Sequence, residues 1–436
     1  MASDNQLVIV DGVRTPFCKT GTDLAPFGAE ELGRMAVNAL LVRTGMDPAI
    51  VDEVIFGCVA QPVDAANVAR VIALRAGIPR AVPAMTVHRN CASGCEAITQ
   101  AQERLLAGCG SVFIVGGAES MSNVPLLFPR TAAEKFSRLA RARNLGQRFQ
   151  AMTAFRPADF KPRIGLQLGL TDPVCGLNMG ETAEVLAREF QVTRAEQDEF
   201  ALRSHQRAVA ARQKLDREIC PVFPAAQLEA SNRANGAAVI RDNGPRENQS
   251  AEALGRLKPV FDRKTGSVTA GNSSQITDGA VALLVMGRSR AAELRLEPLG
   301  CLSGFAYAGC DPARMGLGPL FAIAKAERQT GLKISDADVI EINEAFAAQA
   351  LAVMKAAQSE KFAREFLGRG AALGEFPSEK LNVNGGAIAL GHPVGATGAR
   401  LTLTALLELK RRNARRALVT LCVGGGQGAA LWLERA

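Results

Sequence analysis

The chain is poor in the residue that builds most transition-metal sites. It has three histidines in 436 residues, His88, His205 and His392, far apart along the sequence. That argues against a histidine-rich metal centre. Aromatic residues are scarce too, at 5%, with one tryptophan and one tyrosine. The formal net charge is +8, but no basic cluster is interleaved with rings, so the charge suits acidic small molecules or acidic surfaces rather than nucleic acid. No apolar run reaches the ~18–20 residues that a membrane span needs. The opening residues are polar, without a signal-peptide pattern, and the ten cysteines lack the paired spacing of a secreted framework. Both features point to a reducing cytosol. No GxGxxG follows a strand-like run, which counts against a dinucleotide fold. What is present is ordinary globular material, 47% hydrophobic and 22% charged, in a length that suggests two or three domains.

The stretch TVHRNCASGCEAITQ, residues 86–100, carries the clearest chemical signal. Residues 86–88 read as the end of a strand. A helix follows, with Ile98, Ala101, Leu105 and Leu106 as its apolar face and Gly108 as its stop. Cys91 sits at the joint, where the free N–H groups and dipole of a helix N-terminus favour an anion. A thiol so placed is expected to have a lowered pKa, and its thiolate is a nucleophile. Ala92, Ser93 and Gly94 leave room for a ligand carbonyl to approach the backbone. A single cysteine is more often inert packing, so the position needs support from elsewhere in the chain.

In order, residues 7–10, 54–56 and 112–115 read as strands and 31–44 as a helix, an alternation typical of layered α/β domains. Residues 123–176 are rich in Arg, Phe and Pro and read as an excursion, with a basic amphipathic helix expected at 132–143. Helices are expected at 180–190 and 194–215, the latter capped by Thr193 and Glu196. Residues 231–250 look irregular. The last third then repeats the first. Strand 299–305 answers 7–13, and Thr330-Gly331 ends a helix as Thr44-Gly45 does. Asp338 leads into a strand as Asp52 does. Segments 381–383, 399–412 and 417–421 take the places of the Cys91 strand, its helix and 112–115, and both halves are expected to end in a Gly-Gly turn. A duplicated chain folded about a pseudo-twofold axis brings corresponding loops to one cleft.

Three second-half segments would meet Cys91 there: EINEAF at 341–346, a glycine-rich loop around His392, and CVGGGQG from Cys422. The loop has phosphate-loop spacing, but His392 stands where the lysine belongs, which argues against a nucleotide. An imidazole can activate a thiol, and a second thiol can deliver or remove a proton. Glycines beside a reactive cysteine can offer N–H groups to a developing oxyanion.

NCASG around Cys91, NEAFA from Asn343, GGAIALGHPVGATG around His392 and CVGGGQG from Cys422 together resemble the four signature blocks of the thiolase family, over nearly the whole chain. The resemblance implies a five-layered αβαβα sandwich of two βαβαβαββ halves with an inserted loop domain. Residues 1–122 and 256–290 would form one half, 123–255 the insert, and 291–436 the other half. The implied activity is that of an acetyl-CoA C-acyltransferase acting on 3-oxoacyl-CoA, with coenzyme A as co-substrate and no tightly bound cofactor or metal. Cys91 would be acylated, His392 would activate it, and Cys422 would be the acid/base. Asn343 would hold a water that shares one oxyanion hole with His392, while the N–H groups of Cys91 and Gly424 form the other.

TAGNSS at 269–274 is similar to the family's TAGNAS loop, which assigns Ser274 to pantetheine; Arg246 would lie near the nucleotide. MGETAE resembles the block beside the acyl pocket and places Met179 there. Some biosynthetic members have histidine where this chain has Asn178, and the long basic excursion resembles the thiolase subunits of fatty-acid β-oxidation complexes. The expectation is a degradative, cytoplasmic enzyme of medium or long acyl chains. It would be a homodimer or homotetramer, alone or with a hydratase/dehydrogenase subunit, with peripheral membrane contact open to the excursion and no nucleic-acid partner. The rivals are a biosynthetic acetoacetyl-CoA thiolase, a β-ketoacyl-synthase-like enzyme, a cysteine hydrolase on another fold, and a non-catalytic lipid-carrier or scaffold relative.

Overall fold

A computed structural model describes residues 6–223 and 238–436. In the first half, β1 (Leu7–Arg14), β2 (Glu53–Gly57), β3 (Ala84–Val87) and β4 (Val112–Glu119) alternate with α1 (Ala29–Thr44), α2 (Val68–Arg75) and α3 (Ser93–Leu106). After the excursion the chain returns as β5 (Thr277–Gly287). The second half follows as β6 (Gly300–Gly309), α4 (Gly318–Thr330), β7 (Val339–Ile342), α5 (Ala347–Ala357), α6 (Val394–Arg412), β8 (Arg416–Val423) and β9 (Gln427–Arg435).

Strand order is β3-β2-β4-β5-β1 in the first half and β7-β8-β9-β6 in the second, joined side by side through β1 and β6. Only the pairs Val8–Cys301 and Ile9–Gly300 make that seam. Alternation along the strands then decides the layers. Leu7 and Ile9 pack centrally with Ile98 of α3 and Leu401 of α6. Val8 and Val10 face outward, against Leu32 of α1 and Ile72 of α2. On the other side Ile340 and Trp432 pack under Ile323 of α4 and Val353 of α5. Helices α3 and α6 thus lie between the two sheet halves, with α1/α2 and α4/α5 outside, and the layers run αβαβα.

The duplication reaches individual hydrogen bonds. Asp52 Oδ2 accepts from the N–H groups of Ser111 and Val112 at 2.7 and 2.9 Å. Asp338 Oδ2 accepts from those of Arg415 and Arg416 at 2.9 and 3.0 Å. Gly45 and Gly331 close α1 and α4 at φ of 63° and 75°, a left-handed cap that glycine adopts without penalty.

Several expectations are corrected. Strand β1 runs on to Arg14, whose buried guanidinium meets Glu218 and Asp242 at 3.1 and 2.7 Å. Gly116 and Gly117 lie inside β4 rather than in a turn, because a Cβ there would stand 1.9 Å from Val281 O or 2.0 Å from Gly395 O. The expected strand at 381–383 is a single bridge, Ile340 to Leu381. Helix α6 starts at Val394, five residues early, and Leu106 is exposed rather than on the apolar face. In the excursion the basic helix is Arg130–Arg141, and 194–215 splits into Arg194–Ala210 and Arg212–Leu215. The cap by Thr193 and Glu196 is present. Of the stretch expected to be irregular, 231–237 lies outside the described residues, and 238–250 holds only an isolated bridge at Val239. Among the described residues no helix is long and apolar enough to cross a membrane.

Candidate active site

The two central helices bring the site together at their N-termini. A Cβ on Gly94 would lie 2.6 Å from Ala399 N, and one on Gly398 would lie 2.5 Å from Cys95 N. Only glycine lets the backbones approach this closely. Cys91 and His392 each stand two residues before the first residue of these helices. The Cys91 turn is fixed on both sides. Asn90 takes a positive φ of 43°, a left-handed conformation that asparagine tolerates better than most residues. Arg89 stacks 4.1 Å from the Tyr307 ring centroid and pairs with Glu96 at 2.6 Å.

The Gly424 N–H reaches the Cys91 thiol, and Cys91 and Cys422 interact electrostatically. The expectation of a lowered Cys91 pKa is overturned. Burial pushes it up, more than the Gly424 N–H and its own N–H pull it down, and the Glu119 carboxylate adds to the rise. Desolvation disfavours the charged form more than a helix terminus can repay. Cys422 is pushed well above its ordinary value, first by burial and then by Cys91. His392 is pushed down to about 4 by burial and by Arg400. At neutral pH all three groups are uncharged at rest.

Asn343 follows β7, held by its N–H on Thr420 O at 3.0 Å. Its Nδ2 lies 3.4 Å from His392 Nε2, while its buried Oδ1 has no protein partner. Gly424 O accepts from Asn90 Nδ2 at 2.7 Å, and Met179 Sδ would be 3.5 Å from a Cβ on Gly424. Ser274 and Arg246 line one cavity of about 410 Å³ together with Lys19, His205 and Phe261. It borders the site, since Ser274 N donates to Ala345 O at 2.9 Å and His392 N to Gln275 O at 3.0 Å. Among the described residues no group of three His, Cys, Asp or Glu could hold a metal ion.

One family model, the thiolase N-terminal domain, matches residues 7–289, and a second, the thiolase C-terminal domain, matches 296–435. The chain belongs to the thiolase family. It is 41% identical over 434 residues to a 3-ketoacyl-CoA thiolase of Serratia proteamaculans, covering 99% of this chain and 97% of the relative. A Pectobacterium carotovorum 3-ketoacyl-CoA thiolase is likewise 41% identical, over 431 residues and the same shares. Among solved structures, Bacillus anthracis acetyl-CoA acetyltransferase superposes with a TM-score of 0.84 at 37% identity, over 99% of each chain. Human mitochondrial 3-ketoacyl-CoA thiolase in complex with CoA gives 0.82 at 34%, over 99% of this chain and 98% of that one.

Two buried carboxylates of this thiolase shape the site without having stood out in the sequence. Glu119 accepts from the N–H groups of Val59, Ala60 and Gly395 at 3.0, 2.8 and 2.8 Å, tying the first half to the start of α6. Glu344 accepts from Ser204 Oγ, Asn382 Nδ2 and Ile388 N at 2.6, 2.8 and 3.2 Å, bracing the glycine-rich loop. Burial raises both pKa values above the usual carboxylate range. Glu344 could have been suspected from its place in NEAFA; nothing local marks Glu119, whose donors come from two distant segments, 59–60 and 395.

Proposed function

We propose that this thiolase is a 3-ketoacyl-CoA thiolase, cleaving 3-oxoacyl-CoA with free CoA into acetyl-CoA and a shortened acyl-CoA. The observation that carries the reading is one sulfur under a backbone N–H, Cys91 beneath Gly424, with a second sulfur beside it in Cys422. The Cys91 thiol attacks the ketone carbon as His392 takes its proton. The C2–C3 bond breaks and its electron pair becomes the acetyl-CoA enolate. The enolate oxygen is held by His392 and a water on Asn343, whose unpartnered Oδ1 supports that role. Cys422 protonates C2 and is left as thiolate. CoA then attacks the thioester over the N–H groups of Cys91 and Gly424. The CoA proton passes to Cys422, and His392 returns its proton to Cys91.

CoA occupies the cavity lined by Ser274 and Arg246, with Lys19 as a further cation for its phosphates. Residues 123–255 act as a loop domain between the first-half segments 1–122 and 256–290, with 291–436 as the second half, and Met179 lies on the acyl side. Asn178, which caps the helix that Met179 begins, stands where some biosynthetic relatives carry histidine, and this difference in residue supports medium or long acyl chains and a degradative role in β-oxidation. The unpaired edge of β3 supports a homodimer, since its one partner among the described strands is β2. Exposed Leu126, Phe128, Phe149 and Met152 among the arginines of the excursion support a peripheral contact with an anionic membrane surface. Ten free cysteines support the reducing cytosol.

Turnover of acetoacetyl-CoA and of 3-oxoacyl-CoA substrates of graded length, each with CoA, tests the reading. Transfer of the acyl group to CoA, fastest for the longer chains, is expected. Release to water would end the thiolase reading, and a strong preference for acetoacetyl-CoA would end the degradative one.

A further inference from the structure

The two ring nitrogens of His392 have different partners, and together these define which one carries the hydrogen. Nε2 faces Nδ2 of Asn343 at 3.4 Å, an amide nitrogen that can only donate. Nε2 therefore presents a lone pair, and in a neutral imidazole the hydrogen must sit on Nδ1. Nδ1 lies 2.6 Å from Thr397 Oγ1. That hydroxyl has one hydrogen of its own, which it passes to Pro393 O at 3.0 Å, leaving its lone pairs towards the ring. Thr397 is fully buried, so no water can take its place at Nδ1. It also lies in the first turn of α6, whose start is clamped by Glu119 through the Gly395 N–H.

The geometry points to Thr397 as the positioning residue that holds His392 as the Nδ1–H tautomer, with the Nε2 lone pair, which faces the Asn343 amide at 3.4 Å, as the proton acceptor. This rests on His392 being the group that activates Cys91. The consequence is chemical as well as steric. Because the Cys91 thiol is neutral at rest, the nucleophile forms only when a lone pair receives its proton. An imidazole turned to the Nε2–H tautomer offers none on that side. The same bond then steadies the cation, since Nδ1–H keeps its acceptor while Nε2–H donates to the oxyanion. Thr397 thus serves both protonation states of the ring without moving.

The test compares wild type with Thr397→Val, Thr397→Ser and His392→Ala by steady-state kinetics and by nitrogen-15 NMR of histidine-labelled protein. Three histidines make those spectra assignable. Wild-type His392 is expected as Nδ1–H. Thr397→Val is expected to shift it towards Nε2–H and to lower kcat about 10²-fold, the scale of a lost general base, with KM for both substrates nearly unchanged. Thr397→Ser keeps the acceptor and is expected to keep both tautomer and rate. A valine variant that keeps its tautomer, whatever its kcat, overturns the inference, and so does wild-type His392 found as Nε2–H. The latter reading decides the matter even if the valine variant fails to fold. Full activity in His392→Ala would instead sink the reading of His392 as base, whichever tautomer the wild type shows.

Discussion

Gly94 and Gly398 meet across the crossing of the two central helices, and each lies so close to the other's helix that neither can carry a side chain. A methyl on Gly94 would sit 2.6 Å from a backbone nitrogen, where no rotamer change relieves it. The crossing sets the separation of the Cys91 turn from the His392 turn, so packing and chemistry share one contact. Gly94→Ala is expected to lower stability by at least ~1–3 kcal/mol, as overpacked cores do, and to depress kcat with it. Urea unfolding of the variant checks this; a change below ~0.5 kcal/mol would show that the helices have room to part.

Cys91→Ser should lose the acyl-enzyme. A hydroxyl is a far weaker nucleophile, and His392, with a pKa pushed down to about 4, is a poor base for it. A fall in kcat of ~10³-fold or more is expected. Mass spectrometry of protein mixed with 3-oxoacyl-CoA, without free CoA, should find the acyl adduct on wild-type Cys91 and none on the variant. An adduct of equal occupancy elsewhere would remove Cys91 from its role.

Asn343→Ala removes the side chain whose Oδ1 is left open in the buried site. If that side chain holds the water of an oxyanion hole, kcat should drop by ~10²–10³-fold while KM for CoA stays close to wild type. A variant that instead raised KM with kcat intact would place Asn343 in substrate binding alone.

His205 and His392 are both held neutral, pushed down to about 4 chiefly by burial. The unfolded chain binds protons at these positions near the ordinary histidine pKa of 6.5. Between pH 6.5 and 4 it therefore takes up more protons than the folded chain, and folding stability falls as pH falls through that window. His205→Gln should remove its share, up to ~2–3 kcal/mol, so the variant's Tm should decline less than the wild type's between pH 7 and 4. Parallel Tm curves would mean that His205 titrates normally in the folded protein.

The halves were legible because each repeats the same order of short buried strands, amphipathic helices and end signals. Gly45 and Gly331 stop their helices locally, and Asp52 and Asp338 recur at matching places in the two halves, although the strands they anchor lie far along the chain. The residues proposed as reactive drew notice in the sequence because Cys91, Asn343 and His392 stand at element ends or in a glycine-rich loop, and Cys422 closes a buried strand just before a glycine run. Less visible were the start of α6 at Val394 and the placing of Gly116 and Gly117 inside β4. In both places the glycines serve close backbone approach between segments hundreds of residues apart, which imitates a loop in sequence.

The amino-acid order by itself determined the layered class and the duplication, and it singled out the groups proposed for thioester chemistry, since these depend on periodicity and residue type. Only the tertiary structure decided how those groups are charged. A helix terminus predicts an acidic Cys91, yet the walls of the site come from both halves and strip away the water that a thiolate needs. Desolvation is set by everything that surrounds an atom, and no local stretch of chain records it.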